Sequence, residues 1–265
     1  MHEPEREPDA RDAARVLALA LLAMGAAMLL AKLGLPAFFA GILQQGAFFG
    51  LPLLYARRAG LRPFVSSGYI GISARQAALV LVASLGSLWL LYGLTRIQTE
   101  VIRVAGYEQQ AQEEERQISR GIESARNQGA LPALSLLVLI PPLCEETFFR
   151  GILFRGLASR FGLAIALGGT SLLFSAAHGT LVQKGLMIVL GCYFGALVHF
   201  TGSLWAAILA HAVNNLAVLT MTWIYGTELP EFSAPWWLYA FSGVVFVLGL
   251  TALALERKRG VNSSR

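Results

Sequence analysis

Runs of about 20 predominantly apolar residues recur along this chain, and hydrocarbon is the environment they suit. They lie at 16–33, 37–55, 77–94, 130–154, 162–178, 185–200 and 204–225, with a last one from Trp236 to the basic Arg257-Lys258-Arg259. In a bilayer every backbone N–H and C=O must be bonded inside the protein, so spans of this length are helices. With 55% hydrophobic and only 14% charged side chains, the 265 residues are too apolar for a water-soluble globule. The expected fold class is all-α: a polytopic integral membrane protein of about eight transmembrane helices.

The connections give the organisation. Residues 1–15 alternate acids and bases around Pro4 and Pro8 and read as a solvated tail. Transmembrane helices fill 16–98, an extramembrane amphipathic segment occupies 99–129, a second membrane domain covers 130–256, and 257–265 form a basic tail. Arg57, Arg58, Arg62 and Arg75 crowd one connection, and Arg155 and Arg160 another. Basic loops favour the cytoplasm, so both termini are expected there. The net-acidic 99–129 segment, the Lys184 turn and the loop with Glu228 and Glu231 then fall outside. Gln44-Gln45 in the second run is expected to face protein. Gly191 and Gly195, four apart, suit close helix packing. Cys144 and Cys192 lie in apolar spans and read as buried thiols.

One stretch breaks the apolar pattern: Pro141-Pro142-Leu143-Cys144-Glu145-Glu146-Thr147-Phe148-Phe149-Arg150. Ionisable residues at membrane depth are costly and mark functional sites. Glu146 and Arg150 are four apart, share a helix face and can pair. Glu145 is turned about 100° away, leaving it a free, desolvated carboxylate and a candidate general base. His178, His211, Asn214 and Asn215 complete the polar set; His199 lies at a span end and His2 in the tail. His211 and Asn215 share a face, whereas Asn214 points elsewhere.

Each of these residues alone has an ordinary structural explanation as interhelical glue. Together, from three spans, they suit hydrolysis. Glu145 and His178 can position and deprotonate a water, while His211 and Asn215 donate to a tetrahedral oxyanion. The same inventory could instead hold a metal, with Glu145, His178 and His211 as ligands of zinc. No H-E-x-x-H helix, G-x-S-x-G elbow or glycine-rich phosphate loop is present. Nucleic-acid binding has no support, because the excess of basic residues is accounted for by the loops.

Three motifs occur in order on separate spans: Glu145-Glu146-Thr-Phe-Phe-Arg150, Phe174-Ser-Ala-Ala-His178 and His211-Ala-Val-Asn-Asn215. Their pattern over roughly 130–225 resembles the CAAX prenyl endopeptidase and bacteriocin-processing intramembrane protease family, which includes the abortive-infection-like proteins. The resemblance implies that 130–256 is a catalytic domain. Glu145 would activate water, His178 assist, His211 and Asn215 bind the oxyanion, Glu146 and Arg150 form a supporting pair, and Phe174 open its motif. It implies a substrate that is a membrane protein, or a lipidated or C-terminal-tail peptide such as a sorting tail, in a bacterial inner membrane. Both metalloprotease and metal-free glutamate mechanisms belong to that family; the expectation here is that no cofactor is required, with zinc the alternative. The rival readings are a non-catalytic immunity or scaffold protein of the same fold and, more distantly, a transporter. The expected cavity opens toward the outer face, under the 99–129 segment.

Overall fold

The computed structural model describes residues 7–35, 37–225 and 234–263. His2 and the first tail residues, Pro36, and the loop carrying Glu228 and Glu231 lie outside the described residues. All regular elements described are helical. Long helices α1 (Ala10–Lys32) and α2 (Ala37–Arg58) are followed by the short α3 (Pro63–Ser66), then by α4 (Ala74–Val104) and α5 (Glu108–Asn127). The glutamate-bearing stretch runs through α6 (Ala130–Ala133), α7 (Ile140–Glu146) and α8 (Arg155–Ala177), joined by wide, π-type turns at Leu134–Leu139 and Thr147–Phe154. After them come α9 (Lys184–Thr201), α10 (Leu204–Tyr225) and α11 (Trp236–Ser263).

Among the described residues, seven helices are long and apolar enough to cross a membrane. The longest of these, Ala130–Ala177, is not one rod. The rings of Phe149 and Phe174 lie 5.1 Å apart, whereas 25 residues of straight helix would part them by about 37 Å. The chain reverses at Gly162, where φ is 81°, a left-handed conformation that glycine adopts without a Cβ clash. Counting its two arms separately gives the eight passes expected. The protein is an integral, multi-pass membrane protein, and large apolar side chains such as Leu22 and Trp236 face outward, 72% and 80% exposed.

Contacts between connections define two ends of the bundle. At the first, Arg75 pairs with Glu256 at 2.6 Å, Arg155 donates to the Gly202 carbonyl at 2.8 Å, and the Leu204 N–H donates to Gly68 at 2.7 Å. The arginine-rich connections therefore gather on one end, as the charge pattern requires. At the second end Gln98 accepts from the Leu186 N–H at 3.0 Å, and Glu114 of α5 accepts from the Val182 N–H at 3.1 Å. There α5 packs Ile122 and Ala125 near Ala133, Val138 and Leu219. On its outer side Gln117 and Arg116 together hold the Glu113 carboxyl below the usual range.

Two boundaries differ from expectation. Helix α1 begins at Ala10, within the stretch read as solvated tail, because Asp9 caps it, accepting from the Arg11 and Asp12 N–H groups. Asp12 is buried and accepts from the Tyr55 hydroxyl at 2.8 Å. Helix α4 runs on through Val104 rather than ending near residue 94; its 31 residues make about 46 Å, longer than a hydrocarbon core of roughly 30 Å. The expected close packing of α9 is present. A Cβ at Gly191 would come within 2.7 Å of Ser171, and one at Gly195 within 2.7 Å of Leu167.

Candidate active site

The site begins with a helix that cannot close its own hydrogen bonds. In an α-helix the Leu137 carbonyl would accept from residue 141, and in a wider π-type turn from residue 142. Both are prolines, which have no N–H. The turns at Leu134–Leu139 are wide where Pro141-Pro142 would otherwise crowd the preceding carbonyls. Asn215 of α10 supplies the missing donor: its Nδ2 donates to the Leu137 oxygen at 3.0 Å. One amide hydrogen of Asn215 is thereby engaged, and the second is left over.

Eight and nine residues after Leu137 stand the two glutamates, with different partners. Glu146 is fully buried, and its Oε1 accepts from Arg150 Nη1 at 3.0 Å and from His211 Nδ1 at 2.9 Å. The Arg150 guanidinium, also fully buried, donates from Nη2 to the Gly191 carbonyl at 3.1 Å. It lies 4.5 Å from the Phe174 ring centre and 5.4 Å from that of Phe194, favourable ground for a cation with few oxygen partners. Gly191 thus does two things: its missing side chain lets α9 approach α8, and its carbonyl receives Arg150. Glu145, only 7% exposed, accepts at Oε1 from Gln45 Nε2 of α2 at 2.9 Å. Its Oε2 is buried with no hydrogen-bond partner. Glu146 Oε2 is likewise buried without a partner, so the glutamates differ in what meets Oε1: Arg150 and His211 at Glu146, Gln45 at Glu145.

His178 ends α8, its backbone turning extended at φ −85°, ψ 111°. Its Nδ1 lies 2.9 Å from the Phe174 carbonyl. A carbonyl only accepts, so Nδ1 carries the proton and the neutral ring presents a lone pair at Nε2. Lys184 donates to the His178 carbonyl and to that of Ser175, holding the turn. Phe174 is the hub between the histidines, 4.7 Å from the His178 ring and 6.0 Å from that of His211. Phe194 stacks on His211 at 4.9 Å, leaving His211 Nε2 as the nitrogen not taken by Glu146.

The fold therefore joins Glu146, Arg150 and His211 directly and sets both histidines around Phe174. Asn215 stands on the proline break, and His199 lies apart at the first end, donated to at its carbonyl by Arg257. Sequence reasoning placed Gln45 toward protein without assigning it to the site. It did not find Tyr69, whose hydroxyl meets that of Thr147, next to Glu146. Glu145, His178 and His211 are donor types that suit zinc. Among the described residues, however, no three His, Cys, Asp or Glu side chains stand together as a metal-holding group. Cys144 is buried and Cys192 half-buried, both as free thiols.

No curated protein and no solved structure matches this chain. Residues 127–217 match the family model described as type II CAAX prenyl endopeptidase Rce1-like. That segment holds Glu145, Glu146, Arg150, Phe174, His178, His211 and Asn215, all three motifs on which the resemblance rested. Through residues 127–217, about a third of its length, the chain is similar to the Rce1-like type II CAAX prenyl endopeptidases.

Proposed function

We propose that the chain is an intramembrane endopeptidase that cleaves a peptide bond of a membrane-associated protein or peptide, with Glu145 as the base. The observation that carries this reading is the contrast between adjacent carboxylates. Glu146 is held in an ion pair with Arg150 and is bonded to His211, while Glu145 meets the neutral Gln45 carboxamide at Oε1 and keeps a buried Oε2 without a partner. A carboxylate oxygen held from solvent and unengaged is placed to take a proton from water.

In the proposed reaction Glu145 removes one proton as the water oxygen bonds to the scissile carbonyl carbon. The carbonyl oxygen becomes an oxyanion, for which the second amide hydrogen of Asn215 is one donor. His211, when its ring carries both protons, is the other, from Nε2. As the C–N bond breaks, the proton passes from Glu145 through His178 Nε2 to the leaving nitrogen. The products are a carboxylic acid and an amine. No step is routed through a metal. The two termini are assigned to the cytoplasmic face of a bacterial inner membrane, because the arginine-rich connections share their end of the bundle.

A terminal proteomic comparison of membranes carrying the wild-type protein or Glu145→Ala tests the reaction. The expected result is a set of new termini present only with wild type; identical sets would overturn the proposal. Sidedness is read with single cysteines at the exposed Gln117 and Arg58, Cys144 and Cys192 being replaced. In intact cells an impermeant thiol reagent is expected to label Gln117→Cys and spare Arg58→Cys, and the opposite pattern inverts the topology.

A further inference from the structure

We infer that Gln45 of α2, outside the matched 127–217 segment, is a positioning residue that holds both Glu145 and the attacking water. The inference deepens the reading of Glu145 as base and rests on it. Gln45 lies 100 residues before Glu145, yet its Nε2 donates to Glu145 Oε1 at 2.9 Å. A carboxamide amid apolar helix is costly unless its polar atoms are partnered, and half of this one is not. Gln45 Oε1 is buried without a donor, and so is Glu145 Oε2.

These two orphaned oxygens belong to side chains already joined by a hydrogen bond, and the proposed water sits between them. Both are acceptors, and a water has two hydrogens to give. A water donating one to Glu145 Oε2 and the other to Gln45 Oε1 keeps its lone pairs free for an incoming carbonyl carbon. The hydrogen facing Glu145 is the one removed; the one facing Gln45 stays on the product acid. Gln45 transfers nothing itself.

The packing of α2 fixes this geometry. Phe48, one turn along from Gln45, stacks on Phe148 at 4.8 Å and meets Phe149 edge-on at 5.5 Å. Both partners stand within three residues of Glu146, so the rings lock the α2 register against the Glu145 helix. Gln44, its half-buried neighbour, points about 100° away and provides an internal control.

The test has two arms, both on the full chain in lipid nanodiscs. In the first, thermal unfolding is compared for wild type, Gln45→Met, Glu145→Gln and the double variant. Groups in contact give non-additive shifts, which is the expected result. Additive shifts would overturn the contact whatever the activity. The second arm measures hydrolysis of a quenched fluorescent peptide spanning a bond cut only when Glu145 is intact. Gln45→Met is expected to lower kcat roughly 10–100-fold, the scale of a misplaced reacting group, with KM within about threefold and Gln44→Met at wild-type kcat. Non-additive unfolding with an unchanged kcat would leave Gln45 a merely structural residue and overturn the inference. Absence of any Glu145-dependent cleavage would instead sink the protease reading, while the unfolding arm still decides whether Gln45 holds Glu145.

Discussion

Helices α7 to α10 and helices α1 to α4 meet at the same glutamates but contribute to them in different ways. The later set brings polar residues in pairs at helical spacing, Glu146 with Arg150 and His211 with Asn215. The earlier set sends isolated groups: Gln45 to Glu145, and Tyr69 to Thr147. A pair four residues apart is fixed by the helix itself, whereas an isolated group is fixed only by packing against another helix. In the proposed reading the motif-bearing half carries the chemistry and the earlier half sets its position. A family pattern sees only the first of these.

Four outcomes would sharpen or break that contrast. The largest belongs to Glu145→Gln, which keeps size and polarity but removes the base. Turnover of the peptide should fall by roughly 10²–10⁴ or more, with the thermal transition retained; activity near wild type would remove Glu145 from the chemistry. Glu146→Gln should act on assembly instead. It weakens the oxygen shared by a fully buried Arg150 and by His211. Breaking a buried pair costs on the order of 3–5 kcal/mol, to be seen as lost yield of folded protein in detergent. Equal expression of both glutamate variants would dissolve the distinction between them.

A smaller effect is expected from Asn215→Ala. It leaves the Leu137 carbonyl without a donor, a loss of about 1–3 kcal/mol. Pro141→Ala restores an N–H at position 141, so the loss should shrink in the double variant, and equal losses in both backgrounds would show that Asn215 does not serve the helix break. The smallest is the effect of metal removal. Because no three donors stand together among the described residues, activity should survive a strong chelator. Loss that added zinc restores would replace the metal-free mechanism.

The sequence was informative wherever geometry is local. The Glu146–Arg150 spacing, the Gly191/Gly195 spacing and the proline break all follow from one helix turn, and each is present. Asn215 shows the limit of that reasoning. Its spacing from His211 put both on one face, but its bond to Leu137 depends on two prolines that silence one carbonyl, and on α10 passing beside it. Asp12 is another case. Among alternating charges it looked solvated, and the Tyr55 hydroxyl that bonds it lies 43 residues away. Gln45 was visible as a polar residue out of place, though its partner was not.

The reversal at Gly162 has a consequence for the supply of water. From there to His178 the returning arm has 16 residues, or about 24 Å at 1.5 Å each, some 6 Å short of a hydrocarbon layer of roughly 30 Å. Where His178 ends that arm, the backbone turns extended and Lys184 ties off its carbonyls. A full-length helix would carry its last turn to the headgroups and seal this side with side chains. A shorter one stops before that boundary, with His178 at its end. The proposed hydrolysis would consume a reactant that the bilayer interior excludes, and a shortened arm ending at His178 leaves that reactant's own phase a shorter way to come.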